Sequence, residues 1–145
     1  MTDKRALLFQ ALQPSEAQTL VAIMGRIVPH GAPELKDVVW QTALAYDSQL
    51  VTDIGLRSDI RFQLQDLDKR SSEQGAPSFA EAPPNVQDTV LQYIEDTALF
   101  QNLIYATVAD FYNRHTVWEA IGFPGLAQRD GAGYLDKGFD TLEWT

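Results

Sequence analysis

The residues best suited to metal chemistry are the two histidines, His30 and His115. His115 lies four positions before Glu119, a spacing that places two ligands on one face of a helix. A metal ion needs three or four ligands, and His30 is 85 positions away in the sequence. The better interpretation of His115 is therefore a helix cap or a surface hydrogen bond.

Two short motifs resemble ligand-binding loops but are incomplete. Asp66 and Asp68 have the spacing that opens a calcium loop, yet the cation Arg70 occupies the third ligand position. We interpret this stretch as a solvated helix face. Gly131-Ala132-Gly133 is a bare G-x-G that follows no strand and precedes no helix, which favours a turn over a phosphate-binding loop.

The remaining chemical inventory is close to empty. The absence of cysteine excludes disulfides, iron–sulfur clusters, zinc-thiolate sites and a cysteine nucleophile. Tyr93, Tyr105 and Tyr112 suggest a cofactor slot, but aromatic residues at helical spacing are usually core. We expect no catalytic, cofactor-binding or metal-binding residue in this chain, which favours a subunit over an autonomous enzyme.

The net charge of −9 is unevenly distributed along the 145 residues. Residues 1–70 carry 8 basic and 9 acidic side chains, whereas residues 71–145 carry 3 basic and 11 acidic ones. An acidic half repels phosphate backbones, so the charge argues against nucleic-acid binding. It serves either solubility or the recognition of a basic protein partner.

Three helices are predicted in the first half of the chain. Pro14 suits the first turn of a helix that ends before Pro29, a second begins near Glu34, and Asp53 caps a third. Apolar residues recur at helical spacing in each of them, and the third has a charged, amide-rich face that we expect to be exposed.

The second half begins with a predicted loop over residues 71–85, which is rich in proline and small residues. Asn85 is the predicted cap of the next helix, which either runs straight on into the following segment or bends near Thr97. Residues 99–112 are apolar around most of the helix circumference, which predicts a buried central helix. A short helix over 116–121 should follow.

The predicted fold is all-α, a single domain of five or six helices around that central helix. We assign the helical domain to residues 1–125 and an extended, glycine-rich and aromatic C-terminal tail to residues 126–145. No stretch approaches the roughly 18 apolar residues of a membrane span. The N-terminus has no signal-peptide pattern. The expected location is the cytoplasm, or the periplasm if the chain is exported with a partner or has been trimmed.

Three blocks of sequence resemble the gluconate 2-dehydrogenase subunit 3 family: residues 12–29, residues 90–95 leading to Phe111 and Tyr112, and residues 117–125. The most specific part is Trp118 followed by Gly122-Phe123-Pro124-Gly125. The resemblance covers the chain from about residue 10 to its C-terminus. Members of this family are small helical subunits of FAD-dependent dehydrogenases of the glucose–methanol–choline (GMC) type.

The resemblance implies a non-catalytic small, gamma-type subunit that binds and stabilises a large flavoprotein oxidising a sugar, sugar acid or other alcohol. FAD and the catalytic histidine belong to the large subunit, and electrons often pass on to a cytochrome c. Many members carry a twin-arginine signal, whereas no apolar region follows Lys4-Arg5 here. A stand-alone helical interaction module for an unrelated partner is the alternative, and a small enzyme with an unrecognised site is a third.

Aromatic residues near the C-terminus are the predicted partner-binding residues, because buried aromatics dominate protein–protein hot spots. They are Trp118, Phe123, Tyr134, Phe139 and Trp144. Trp118 and Phe123 fit the core of the domain itself equally well. Phe139 and Trp144, close to the C-terminus, favour the partner.

Overall fold

The structure, a computed structural model, describes residues 4–28 and 33–114. In these two ranges the chain forms a short 3₁₀ helix and five α-helices, and no strand. The elements are the 3₁₀ helix Lys4–Leu8, α1 Pro14–Ile27, α2 Pro33–Thr52, α3 Ile54–Glu73, α4 Pro84–Leu91 and α5 Ala98–Phe111. The predicted all-α, single-domain class is confirmed.

Helix starts in the first half follow the predicted signals. Pro14 is the first residue of α1, and the Glu16 carboxylate accepts a hydrogen bond of 2.9 Å from the backbone N–H of Gln13. Asp53 caps α3 through a 3.1 Å hydrogen bond from the backbone N–H of Leu56. These side chains satisfy donors that a helix N-terminus leaves unpaired.

Two predicted boundaries are wrong. The loop predicted over 71–85 begins later, because α3 continues to Glu73 and is terminated by Gly75, two residues beyond its end, whose φ is 92°. Hydrogen bonds from Gly75 N–H to the carbonyl of Ser72 and from Ala76 N–H to that of Ser71, each 3.0 Å, form a Schellman motif. Helix α4 begins at Pro84, so Asn85 lies inside the first turn and is not the cap.

The bend predicted near Thr97 is a complete break between α4 and α5. Thr97 is the N-cap of α5, and its hydroxyl accepts a 3.2 Å hydrogen bond from the backbone N–H of Phe100. The same hydroxyl donates to the carbonyl of Ile94 at 2.7 Å, which ties the new helix to the end of the preceding turn.

The central helix is α1, not the predicted segment 99–112. Helix α1 contacts α2, α3, α5 and the 3₁₀ helix, and only Ser15 and Arg26 in it are exposed. Leu103 and Phe111 of α5 are fully buried as predicted, but Tyr105 is 75% exposed. Alanine and tyrosine residues make α5 apolar around most of its circumference, although the face that carries Tyr105 is exposed.

Three predictions fall beyond the part of the chain that the structure describes. They are the short helix over 116–121, the domain boundary at residue 125 and the extended tail over 126–145.

Candidate functional site

All five predicted partner-binding residues lie outside the described ranges. They are Trp118, Phe123, Tyr134, Phe139 and Trp144, and His115, Glu119 and the Gly131–Gly133 motif lie there too. A functional surface must therefore be sought on the helices that the structure describes.

Asp47 is a buried carboxylate with a structural role. Its two oxygens accept hydrogen bonds from the backbone N–H groups of Gln10, Ala11 and Leu12, at 2.8, 3.0 and 3.1 Å. A carboxylate that accepts several backbone donors is a strong, charge-assisted partner. Asp47 thus fixes the link between the 3₁₀ helix and α1 onto α2, and it is fully occupied in doing so.

The calcium-like spacing of Asp66 and Asp68 also has a structural explanation. Asp66 forms an ion pair of 2.8 Å with Arg70, and Asp68 accepts from the Thr19 hydroxyl and the Phe79 backbone N–H, both at 2.9 Å. No group of three metal-ligating side chains occurs within residues 4–28 and 33–114. Asp68 instead holds the α3–α4 loop so that Phe79 is buried.

Glu16 is the most engaged ionised side chain of α1. Burial alone would raise its pKa, but hydrogen bonds from the Gln13 backbone N–H, Gln65 and Arg61 outweigh burial, so the pKa of Glu16 is lowered. The Arg61 Nε lies 3.0 Å from one carboxylate oxygen and the Gln65 amide nitrogen 2.5 Å from the other. This network joins α1 to α3 and leaves no free acid or base.

Large apolar side chains at the surface are the strongest sign of an interaction surface. Across the described helices, six of them are between 60% and 75% exposed: Leu7, Leu8, Ile54, Phe62, Tyr93 and Tyr105. Single exposed apolar residues are normal, so a site requires a second feature beside one of them.

The prediction that the three tyrosines belong to the core is wrong for two of them. Tyr93 is 60% and Tyr105 75% exposed. Arg70 covers the Tyr93 ring, with its guanidinium carbon 4.1 Å from the ring centroid. Tyr112 is half-buried against Phe111, and burial raises its pKa.

Tyr105 stands beside a groove between α2 and α5 that holds about 500 Å³. We call it the α2–α5 groove. Helix α2 contributes Thr42, Ala45, Tyr46 and Gln49, helix α5 with the turn after it contributes Asn102, Tyr105, Ala106, Ala109, Asp110 and Asn113, and α1 contributes Met24. Spacings of three and four residues place each set on one helix face. The lining combines small residues, primary amides and one exposed aromatic ring.

Two hydroxyl groups in the lining of this groove have no hydrogen-bond partner among the residues that the structure describes. Thr42 and Tyr46 are 2% and 4% exposed, and neither the Thr42 Oγ1 nor the Tyr46 hydroxyl oxygen is paired. A buried, unpaired hydroxyl costs about 1–3 kcal/mol. Burial, and secondarily the negative charge of Asp53, raises the pKa of Tyr46 to about 12. The groove is therefore lined by two hydroxyl groups that residues 4–28 and 33–114 leave without a hydrogen-bond partner.

A second cleft, of about 430 Å³, surrounds Trp40 and carries three cations, Arg5, Arg26 and Lys36. Arg5 stacks on the Trp40 ring, 4.5 Å from its centroid, and bonds Asp37 at 3.0 Å. Arg26 forms an ion pair with Asp88. Two of the three cations are thus already neutralised, so this cleft is a weaker candidate than the α2–α5 groove.

Sequence reasoning missed the α2–α5 groove, although a signal for it exists. Thr42, Tyr46 and Leu50 recur at a spacing of four residues on one face of the second helix, and such a pattern by itself indicates core. Gln49 and Asn102 carry primary amides next to small residues. Amides are seldom placed beside a core face without a hydrogen-bond partner, so these two residues indicate a surface that could bind one.

No curated protein and no solved structure matches this chain. None of the described helices is long and apolar enough to cross a membrane. A family model described as gluconate 2-dehydrogenase subunit 3 matches residues 14–125, which is most of the chain and spans all five α-helices. The chain therefore belongs to the gluconate 2-dehydrogenase subunit 3 family.

Proposed function

We propose that this chain is a non-catalytic small subunit that binds and stabilises a large FAD-dependent dehydrogenase of the GMC type. The substrate of that enzyme is a sugar, sugar acid or other alcohol. Membership of a family whose name designates a dehydrogenase subunit supports the proposal. The ionised side chains described above support it as well, because Asp47, Asp68 and Glu16 are all engaged in holding the fold.

The cofactor and the electron acceptor belong to other subunits in this proposal. FAD resides in the large subunit, and a cytochrome c accepts the electrons. The small subunit contributes a binding surface for the large subunit, and its role is to keep the large subunit folded and soluble.

The single structural observation that carries this function is the exposure of the Tyr105 ring on an otherwise well-packed helical domain. Tyr105 is 75% exposed, although Phe79, Phe111 and the aliphatic core residues are buried. Aromatic side chains are enriched at the centres of protein interfaces because they bury a large area at a small cost in conformational entropy.

Co-expression tests the proposal. The neighbouring gene is identified first, and the large flavoprotein that the proposal expects there is produced with and without this chain. The complex is isolated through a tag on this chain. We expect a complex containing FAD, and a large subunit that loses soluble yield and thermal stability when this chain is omitted.

Two outcomes would contradict the proposal. One is a large subunit that is equally soluble, active and stable alone and does not bind the tagged chain. The other is flavin that remains stoichiometrically bound to the isolated small chain after gel filtration, which would make this chain the flavoprotein.

A further inference from the structure

We infer that the α2–α5 groove is the docking site for an extended, uncharged segment of the dehydrogenase subunit, with Tyr105 as its aromatic anchor. The inference rests on the proposed function for the existence of that partner. It goes further by assigning the contact to one groove and one kind of segment.

The chemistry of the groove matches a polypeptide backbone. The side-chain amides of Gln49, Asn102 and Asn113 offer both donors and acceptors, and no partner within the described residues engages them. Ala45 and Ala109 have only a methyl group as side chain, so a partner backbone can approach the two helices closely at these positions. A backbone presents an alternating series of N–H and C=O groups that such amides bind well.

The electrostatics of the groove favour an uncharged occupant. Its one carboxylate, Asp110, forms an ion pair of 2.9 Å with Arg114. Arg114 in turn donates to the side-chain and backbone oxygens of Gln41, at 3.2 and 3.4 Å. These bonds close one end of the groove with neutralised charges. A charged segment would be desolvated there without an opposite charge to compensate it.

The dimensions of the groove fit a short extended strand. The lining residues of α5 run from Asn102 to Asn113, which corresponds to about 16 Å along a helix. An extended chain covers about 3.3 Å per residue, so roughly five residues of the partner would fill it. Thr42 and Tyr46 also line the groove, and no described residue forms a hydrogen bond with their buried hydroxyls.

Photo-crosslinking in the co-expressed complex identifies the occupant. Tyr105, which is 75% exposed, is replaced by p-benzoylphenylalanine, a larger aromatic side chain that the surface at this position can accommodate. Phe62, 73% exposed on α3, receives the same replacement as the matched control. We expect the Tyr105 position to form an adduct with an uncharged peptide of the large subunit, in several-fold higher yield than the Phe62 position.

Substitutions measure the contribution of the groove to affinity. Tyr105→Ala removes the ring and Ala109→Arg fills the groove, while Phe62→Ala and Ser58→Arg make the same changes on the exposed face of α3. We expect the two groove variants to weaken capture of the large subunit about tenfold or more, as for a hot spot, and the controls less than about threefold. Thermal melts by circular dichroism confirm that each variant is folded. If Ala109→Arg proves to be destabilised, Tyr105→Ala alone still tests the groove, because it removes an exposed ring.

The outcomes separate this inference from the function on which it rests. If the wild-type chain does not bind the large subunit, the proposed function fails. If it binds, three results overturn the groove assignment alone. They are equal adduct yields at the two positions, adducts only within this chain or with a second copy of it, and groove variants that capture the partner as well as their controls.

Discussion

Removing the Tyr46 hydroxyl should stabilise the isolated protein, contrary to the usual effect of a tyrosine-to-phenylalanine change. The oxygen is buried and has no hydrogen-bond partner in the described part of the chain, so Tyr46→Phe relieves a desolvation cost without losing a bond seen there. We expect a gain of about 1–2 kcal/mol in the free energy of unfolding at pH 8. For a domain of this size that corresponds to a rise of about 2–8 °C in the melting temperature.

The same hydroxyl makes stability depend on pH in the alkaline range. The pKa of Tyr46 is about 12 in the folded protein against an ordinary value of 10.0. The unfolded chain therefore releases this proton first, and stability present below pH 10 is lost as the pH rises towards 12. The loss amounts to about 1.4 kcal/mol at pH 11 and about 3 kcal/mol above pH 12. Tyr46→Phe abolishes this contribution.

Urea unfolding followed by circular dichroism at pH 8 and pH 11 measures both effects. The gap in unfolding free energy between Tyr46→Phe and wild type should widen by about 1.4 kcal/mol at the higher pH. Tyr105→Phe, a change at an exposed ring, is the matched control and should show neither effect. A Tyr46→Phe protein that is less stable than wild type at pH 8, or a gap that does not change with pH, would refute the reasoning.

Three further substitutions test the contacts that hold the helices together. Asp47→Ala leaves three backbone donors without their carboxylate and should lower the free energy of unfolding by about 2–4 kcal/mol, measured with denaturant. A loss below about 0.5 kcal/mol would show that water replaces the carboxylate as their acceptor. Leu103→Ala should cost about 2–5 kcal/mol, because the side chain is fully buried, and an unchanged melting temperature would contradict that. Since the pKa of Glu16 is lowered, its contribution is present above its ordinary value of 4.5 and lost below it. Glu16→Gln should therefore flatten the fall in stability on acidification, and an unchanged acid profile would contradict the network.

The first three α-helices were predictable because their start signals are local. Pro14 and Asp53 act within one turn of their own positions, and the apolar spacing behind each reflects a single buried face. The end of α3 was misplaced for a related reason. Ser71 looked like a loop residue, but its hydroxyl bonds the carbonyl of Leu67 and its carbonyl accepts in the Schellman motif.

The central helix and the groove were not predictable from local patterns. Which of two apolar helices lies at the centre depends on how many neighbours pack against it, and α1 is enclosed on more sides than α5. The exposure of Tyr105 follows from the same packing, since an aromatic ring has the same propensity on either face. The unpaired state of Thr42 and Tyr46 depends on atoms far apart in the sequence. The resemblance to the family was confirmed independently over residues 14–125.

The tie between Asp47 and the backbone of residues 10–12 also imposes an order on the synthesis of the protein. The backbone N–H of Leu12 can form its hydrogen bond only after Asp47, 35 residues later in the sequence, has been synthesised. At a translation rate of about 5–20 residues per second, the delay is roughly 2–7 s. During that interval the N-terminal segment has no fixed attachment, and α1 can form before its own entry is held in place. Residues 10–12 thus acquire these contacts only after most of α2 has been synthesised.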